Sequence, residues 1–142
     1  MMWMLFSWVI VCVLSGCFGQ PFQIELLNKG IFPITEVLVY PDAGLCGTPG
    51  PQAHINRLPN NASGSAIALQ PEETAILPQV FRPDVYLIAV TFYDTRSHVL
   101  RQAVSPSAYD LSFVKGAYPV VVRAAMDENG IPDFELEFVT RF

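Results

Sequence analysis

Side chains able to do chemistry are few in this chain, and their spacing sets what they could do. Of three cysteines, Cys12 and Cys17 lie near the start and Cys46 stands alone further on; the two histidines are His54 and His98. Asp42, Cys46 and His54 fall in one stretch, but a Cys-x₇-His spacing matches no closed zinc pattern, and an ordinary polar loop is the simpler reading. No Gly-x-Ser-x-Gly elbow accompanies the serines, and Ser63 and Ser65 sit in a segment that reads as a linker, a poor place to preorganise a nucleophile. Glu72 and Glu73 are neighbours that point apart in extended chain, while Glu135 and Glu137 share one face, most simply the solvent face of a strand. The glycines around Gly44-Leu45-Cys46-Gly47 carry no Lys-Ser or Lys-Thr and so form no phosphate loop. The expectation is a non-enzyme, with no catalytic residue, no metal and no cofactor.

The elements that would position these residues are strands. Residues 22–26 alternate apolar and polar, as a half-buried strand does, and 34–40 follow as a β-branched run. Between them Asn28-Lys29-Gly30 reads as a turn, with Gly30 free to take positive φ, so the two strands are expected to pair as a hairpin with a bulge or edge at Pro33. Residues 85–93 are apolar on both faces and should lie centrally in a sheet. Residues 118–126 form a second clear strand, and Asp127-Glu128-Asn129-Gly130 carries a hairpin signal leading into the alternating 134–138. Shorter strands are expected at 66–69, 74–77, 98–104 and 109–114. The fold class is therefore all-β: a single antiparallel β-sandwich of about seven to nine strands with no helix.

One long loop interrupts this pattern. Residues 41–66 are rich in Gly, Pro, Asn and Ser, and loops beyond about 12–15 residues are usually functional or disordered. Leu45, Ile55 and Leu58 could pin it to the body of the domain, and with Arg57 they are its candidate anchors on a partner; 60–65 reads as mobile. The net charge is −5, with no basic stripe to hold phosphates, which argues against a nucleic-acid partner.

The leader carries the most specific signal. No charged side chain occurs before Glu25, and residues 3–14 are an almost unbroken apolar run, shorter than the roughly 20 residues a membrane span needs. The run ends in Leu14-Ser15-Gly16-Cys17, which resembles the bacterial lipobox. The resemblance covers the leader alone, and the absence of Lys and Arg before the apolar run departs from the family pattern. It implies a signal peptide at 1–16, cleavage before Cys17, and acylation of Cys17, which would tether the chain to a lipid bilayer. Phe18 after the cysteine, where Asp usually means retention in the inner membrane, leans the expected location towards the outer membrane. Residues 17–21 would be a short tether and 22–142 the sandwich domain.

Two alternatives for the leader are an ordinary secretory signal cut near Gly16 or Gly19, which would leave Cys17 free to pair with Cys46, and an uncleaved anchor. A local resemblance also joins Leu69-Gln70-Pro71-Glu72-Glu73 and Asp84-Val85-Tyr86 to the corner before a central strand in immunoglobulin-like sandwiches. Transthyretin-like sandwiches fit the same strand count. These readings together imply a membrane-tethered accessory protein of the cell envelope, with an envelope protein or polysaccharide as its partner. A surface carbohydrate-binding module, stacking sugars on Tyr40, Tyr86, Tyr93, Tyr109 or Tyr118, is the alternative.

Overall fold

The computed structural model describes residues 21–41, 55–82, 84–105, 109–111 and 120–138. Its described residues hold eight strands and no helix: β1 (Ile24–Asn28), β2 (Ile34–Pro41), β3 (Thr74–Ile76), β4 (Val85–Asp94), β5 (Val99–Val104), β6 (Tyr109–Asp110), β7 (Val120–Met126) and β8 (Pro132–Phe138). They form two sheets, one in the order β3-β1-β7-β8 and one in the order β2-β4-β5, with β6 also paired to β4. Alternation along each strand turns one face of each sheet inward. Ile24, Leu26, Val120, Val122 and Ala124 from the first sheet share a single buried cluster with Val37, Val39, Ile88, Val90 and Phe92 from the second. That two-sheet arrangement around one core is consistent with a β-sandwich.

β4 and β7 are interior strands, as their apolar runs require. β4 is flanked by β2 on one side and by β5 and β6 on the other. The register slips between Ile34 and Glu36, so the bulge expected beside Pro33 is present.

Three expectations need correction. The sheets are not purely antiparallel: β1 runs parallel to β7, with Ile24 opposite Val120 and Asn28 opposite Ala124. Parallel neighbours need a long connection, and here almost the whole domain lies between the two strands.

β1 and β2 do not form a hairpin either; they belong to different sheets. The chain crosses over because Asn28 and Phe32 are both buried, at 0% and 2% exposure. The Asn28 Nδ2 donates to the carbonyls of Phe32 (2.8 Å) and Leu69 (3.0 Å), and its Oδ1 accepts from the Gly30 N–H (3.0 Å). Gly30 keeps negative φ; what it supplies is clearance, since a Cβ there would lie 2.8 Å from the Met126 backbone nitrogen.

Residues 66–69 are not a strand. They make two isolated bridges, Asn60 with Ala66 and Ile34 with Leu69.

Candidate functional site

Of the stretch 41–66 singled out for partner binding, Pro41 ends β2, and residues 42–54, with Asp42, Leu45, Cys46 and His54, lie outside the described residues, as does Cys17. From Ile55 onward its placement is clear. The backbone of Val37 faces away from β4, towards this segment. There the Asn56 side chain stands in for a strand peptide, its Oδ1 accepting from Val37 N–H (3.0 Å) and its Nδ2 donating to the Thr35 carbonyl (3.1 Å). Arg57 N–H then donates to the Val37 carbonyl (2.8 Å). This edge of β2 is thereby covered, which protects it from pairing with another chain.

The covering buries two of the candidate anchors. Leu58 is 2% exposed and part of the core, and Arg57 is 9% exposed with its guanidinium 5.7 Å from the Phe81 ring centroid. Ile55, at 47% exposure, is the described candidate that leaves apolar surface exposed. Ile67, 51% exposed, adds a second aliphatic on the same excursion of the chain.

Between them, residues 60–65 close into a hydrogen-bonded turn rather than an unstructured linker. Asn61 Oδ1 accepts from Ser63 N–H, Ser63 Oγ and Ser65 N–H, and Gly64 takes φ +83°. Asparagine favours such turns because its side chain reaches backbone two residues on. The Ser63 hydroxyl is thus held by Asn61 at 2.7 Å.

The other residue types that suggested chemistry also have structural partners. His98, in the left-handed region at φ +56°, shares a 2.8 Å hydrogen bond between its Nδ1 and the Tyr93 hydroxyl across the β4–β5 turn. Glu72 pairs with Lys29 at 3.2 Å, Glu73 accepts from the Gln70 N–H at 2.8 Å, and Glu135 faces Arg123 across β7 and β8 at 3.6 Å. Among the described residues, no three of His, Cys, Asp and Glu gather closely enough to hold a metal ion.

Asp94 is the carboxylate that sequence reasoning passed over. It ends β4 on the inward face at 4% exposure, where its Oδ1 accepts from Arg96 N–H (2.9 Å) and Ser97 N–H (3.2 Å) and its Oδ2 meets Arg101 Nε (3.3 Å). Burial pushes its pKa up, but the two backbone N–H donors, the Ser97 side chain and the Arg96 charge outweigh it, so the carboxyl titrates below its ordinary value. Arg96 in turn lies over the Phe32 ring at 5.2 Å and donates to the Glu128 carbonyl at 2.6 Å. Through Arg96, Asp94 thereby ties the β4–β5 turn to the β7–β8 turn.

At the opposite end of the core Phe22, Phe81 and Tyr86 pack with ring centroids 5.9–6.1 Å apart. The Tyr86 hydroxyl donates to the Arg82 carbonyl at 2.5 Å.

No match is found. Neither protein-family models, nor curated proteins, nor solved structures share significant similarity with this chain. The functional reading therefore rests on the chain's own residues.

Proposed function

We propose that this chain is a non-catalytic accessory domain of the bacterial cell envelope, lipid-anchored through acylated Cys17, that binds or supports an envelope protein or polysaccharide. The observation that carries the proposal is the leader: an apolar run ending in Leu14-Ser15-Gly16-Cys17, followed almost at once by the domain. Phe22 already exchanges backbone hydrogen bonds with Phe81, at 3.0 and 2.8 Å. The tether at 17–21 then reaches no more than about 17 Å fully extended, which holds the aromatic end of the domain close to the bilayer. Outer-membrane placement follows from Phe18 rather than Asp after the anchor cysteine.

We read the two sheets as a sandwich of immunoglobulin-like or transthyretin-like kind. In support of the former, the hydroxyl of Tyr86 near the start of a central strand bonds to a carbonyl four residues upstream, as in the tyrosine corner of immunoglobulin domains. In such domains the sheets are scaffold and contacts come from loops and edges. The carbohydrate-binding alternative draws less support, since Tyr86 is buried and Tyr93 engages His98.

A photo-reactive side chain in place of Ile55, activated in intact envelopes, tests the proposal. A discrete adduct with one envelope component is expected, absent when the probe replaces exposed Gln70; equal, diffuse labelling from both positions would refute partner binding on this segment.

A further inference from the structure

Among the described residues, four of the five edge strands carry devices that discourage pairing with another strand. Asn56 and Arg57 cover β2, β3 and β6 are three and two residues long, and β8 opens on Pro132 and carries Asp133 and Glu135. β5 is uncovered, six residues long and free of proline, and its one charge, Arg101, is spent on Asp94 of the same chain. Val99, Leu100 and Val104 are 48%, 62% and 44% exposed, and among the described residues no strand lies beyond it.

From these features we infer that β5 is a homodimer edge, on which a second copy of this chain adds its own β5 antiparallel about a two-fold axis at Gln102.

The backbone parity fits. Ser105 N–H donates to the Ile88 carbonyl, and the β4–β5 register alternates from there, so the peptide groups of Ala103, Arg101 and Val99 face β4. Those of Leu100, Gln102 and Val104 point out of the sheet. An axis at Gln102 sets these outward residues against one another: Leu100 opposite the second copy's Val104, and Gln102 opposite its own equivalent. Each facing pair exchanges two backbone hydrogen bonds, and aliphatic meets aliphatic on the outer face.

Neighbouring registers are worse. Moving the axis to Arg101 sets two guanidinium groups face to face. Moving it to Ala103 leaves Leu100 with no residue of β5 opposite it, and the aliphatic pairs are lost.

Charge also favours this edge for self-association. The chain carries −5 overall, so two copies repel through most surfaces, but residues 99–105 contain no acidic side chain. Their one cation, Arg101, is already paired with Asp94 of its own copy at 3.3 Å.

The test is sedimentation of the full chain, as isolated in detergent, beside its Gln102→Glu and Gln102→Lys variants. The unmodified chain should sediment at twice the monomer mass. Each variant alone should dimerise about tenfold more weakly or worse at neutral pH, because like charges then meet on the axis. An equimolar mixture of the two variants should recover the dimer as a heterodimer. Far-UV circular dichroism spectra of both variants that match the parent's separate this from loss of fold. A monomeric parent, a dimer indifferent to both substitutions, or a mixture that stays dissociated would each overturn the inference.

Discussion

Replacing Asn28 distinguishes a side chain that fills space from one that holds two sheets together. Its amide satisfies two carbonyls and one N–H in a site with 0% exposure. At about 1 kcal/mol for each hydrogen bond, and more where a buried group is left unpaired, Asn28→Ala should cost about 3–5 kcal/mol. That is a large part of the 5–15 kcal/mol typical of a domain. Asn28→Asp keeps the shape and the acceptor for Gly30, yet turns both donations into a carboxylate facing two carbonyl oxygens. At neutral pH it should therefore be at least as damaging as alanine.

The pH dependence adds a second signature. The introduced carboxyl is held in its protonated form by the fold, so the folded state binds more protons than the unfolded one and stability rises as pH falls. The assay is urea unfolding followed by far-UV circular dichroism, where a loss of 3 kcal/mol moves the midpoint by about 2 M at a typical slope. An Asn28→Asp variant markedly more stable than Asn28→Ala at neutral pH would refute the donor role and leave Asn28 as mere filling.

Further outcomes follow from the same contacts. Gly30→Ala should destabilise by about 1–3 kcal/mol, because its Cβ meets the Met126 backbone at 2.8 Å; relief by replacing the Met126 side chain would contradict a backbone clash. Tyr86→Phe should lose about 1 kcal/mol with its bond to Arg82. Tyr109→Phe should be neutral or stabilising in the same thermal melts, since the Tyr109 hydroxyl is buried with no hydrogen-bond partner among the described residues and burial, aided by Asp133, raises its pKa. Asp94 titrates below the ordinary carboxylate value, so its contribution to stability is complete above that value and is lost as pH falls through the lower one. Asp94→Asn should flatten the acid limb of the stability profile, and an unaltered limb would show that Asp94 plays no part in it.

How far the sequence could be read depended on the kind of information each feature needed. The core faces of β4 and β7 were legible because continuous apolar runs admit few other placements. Period-two counting reaches further than the turn signals suggested. Phe22, Ile24, Leu26 and Asn28 lie on one face, as do Ile88, Val90, Phe92 and Asp94, and the last of each series is a buried polar residue. That parity could have marked Asn28 and Asp94 as inward; their turn-forming character hid it. Sheet membership was not legible, because the segment linking β1 to β2 could close a hairpin or cross between sheets, and the choice lies with the distant Leu69 carbonyl and the Met126 backbone. The parallel pairing of β1 with β7 is non-local in the same way.

At the β7–β8 turn the hairpin was foreseen, but its chemistry differs from the Asn-Gly signal. Asp127 accepts from Asn129 and Ile131 N–H, and Gly130 alone takes positive φ, at +78°. In the candidate contact segment Ile55 is exposed while Arg57 and Leu58 are buried, and composition could not separate them.

Acylation of Cys17 is what tethers this domain to its membrane in the proposed function. Intact mass of the chain purified from its native membrane, beside a Cys17→Ala variant, is the decisive measurement. Loss of residues 1–16 together with added acyl mass, both abolished in the variant, is the predicted result. A cleaved chain without acyl mass, or an uncleaved one, would contradict the lipid-anchored envelope reading.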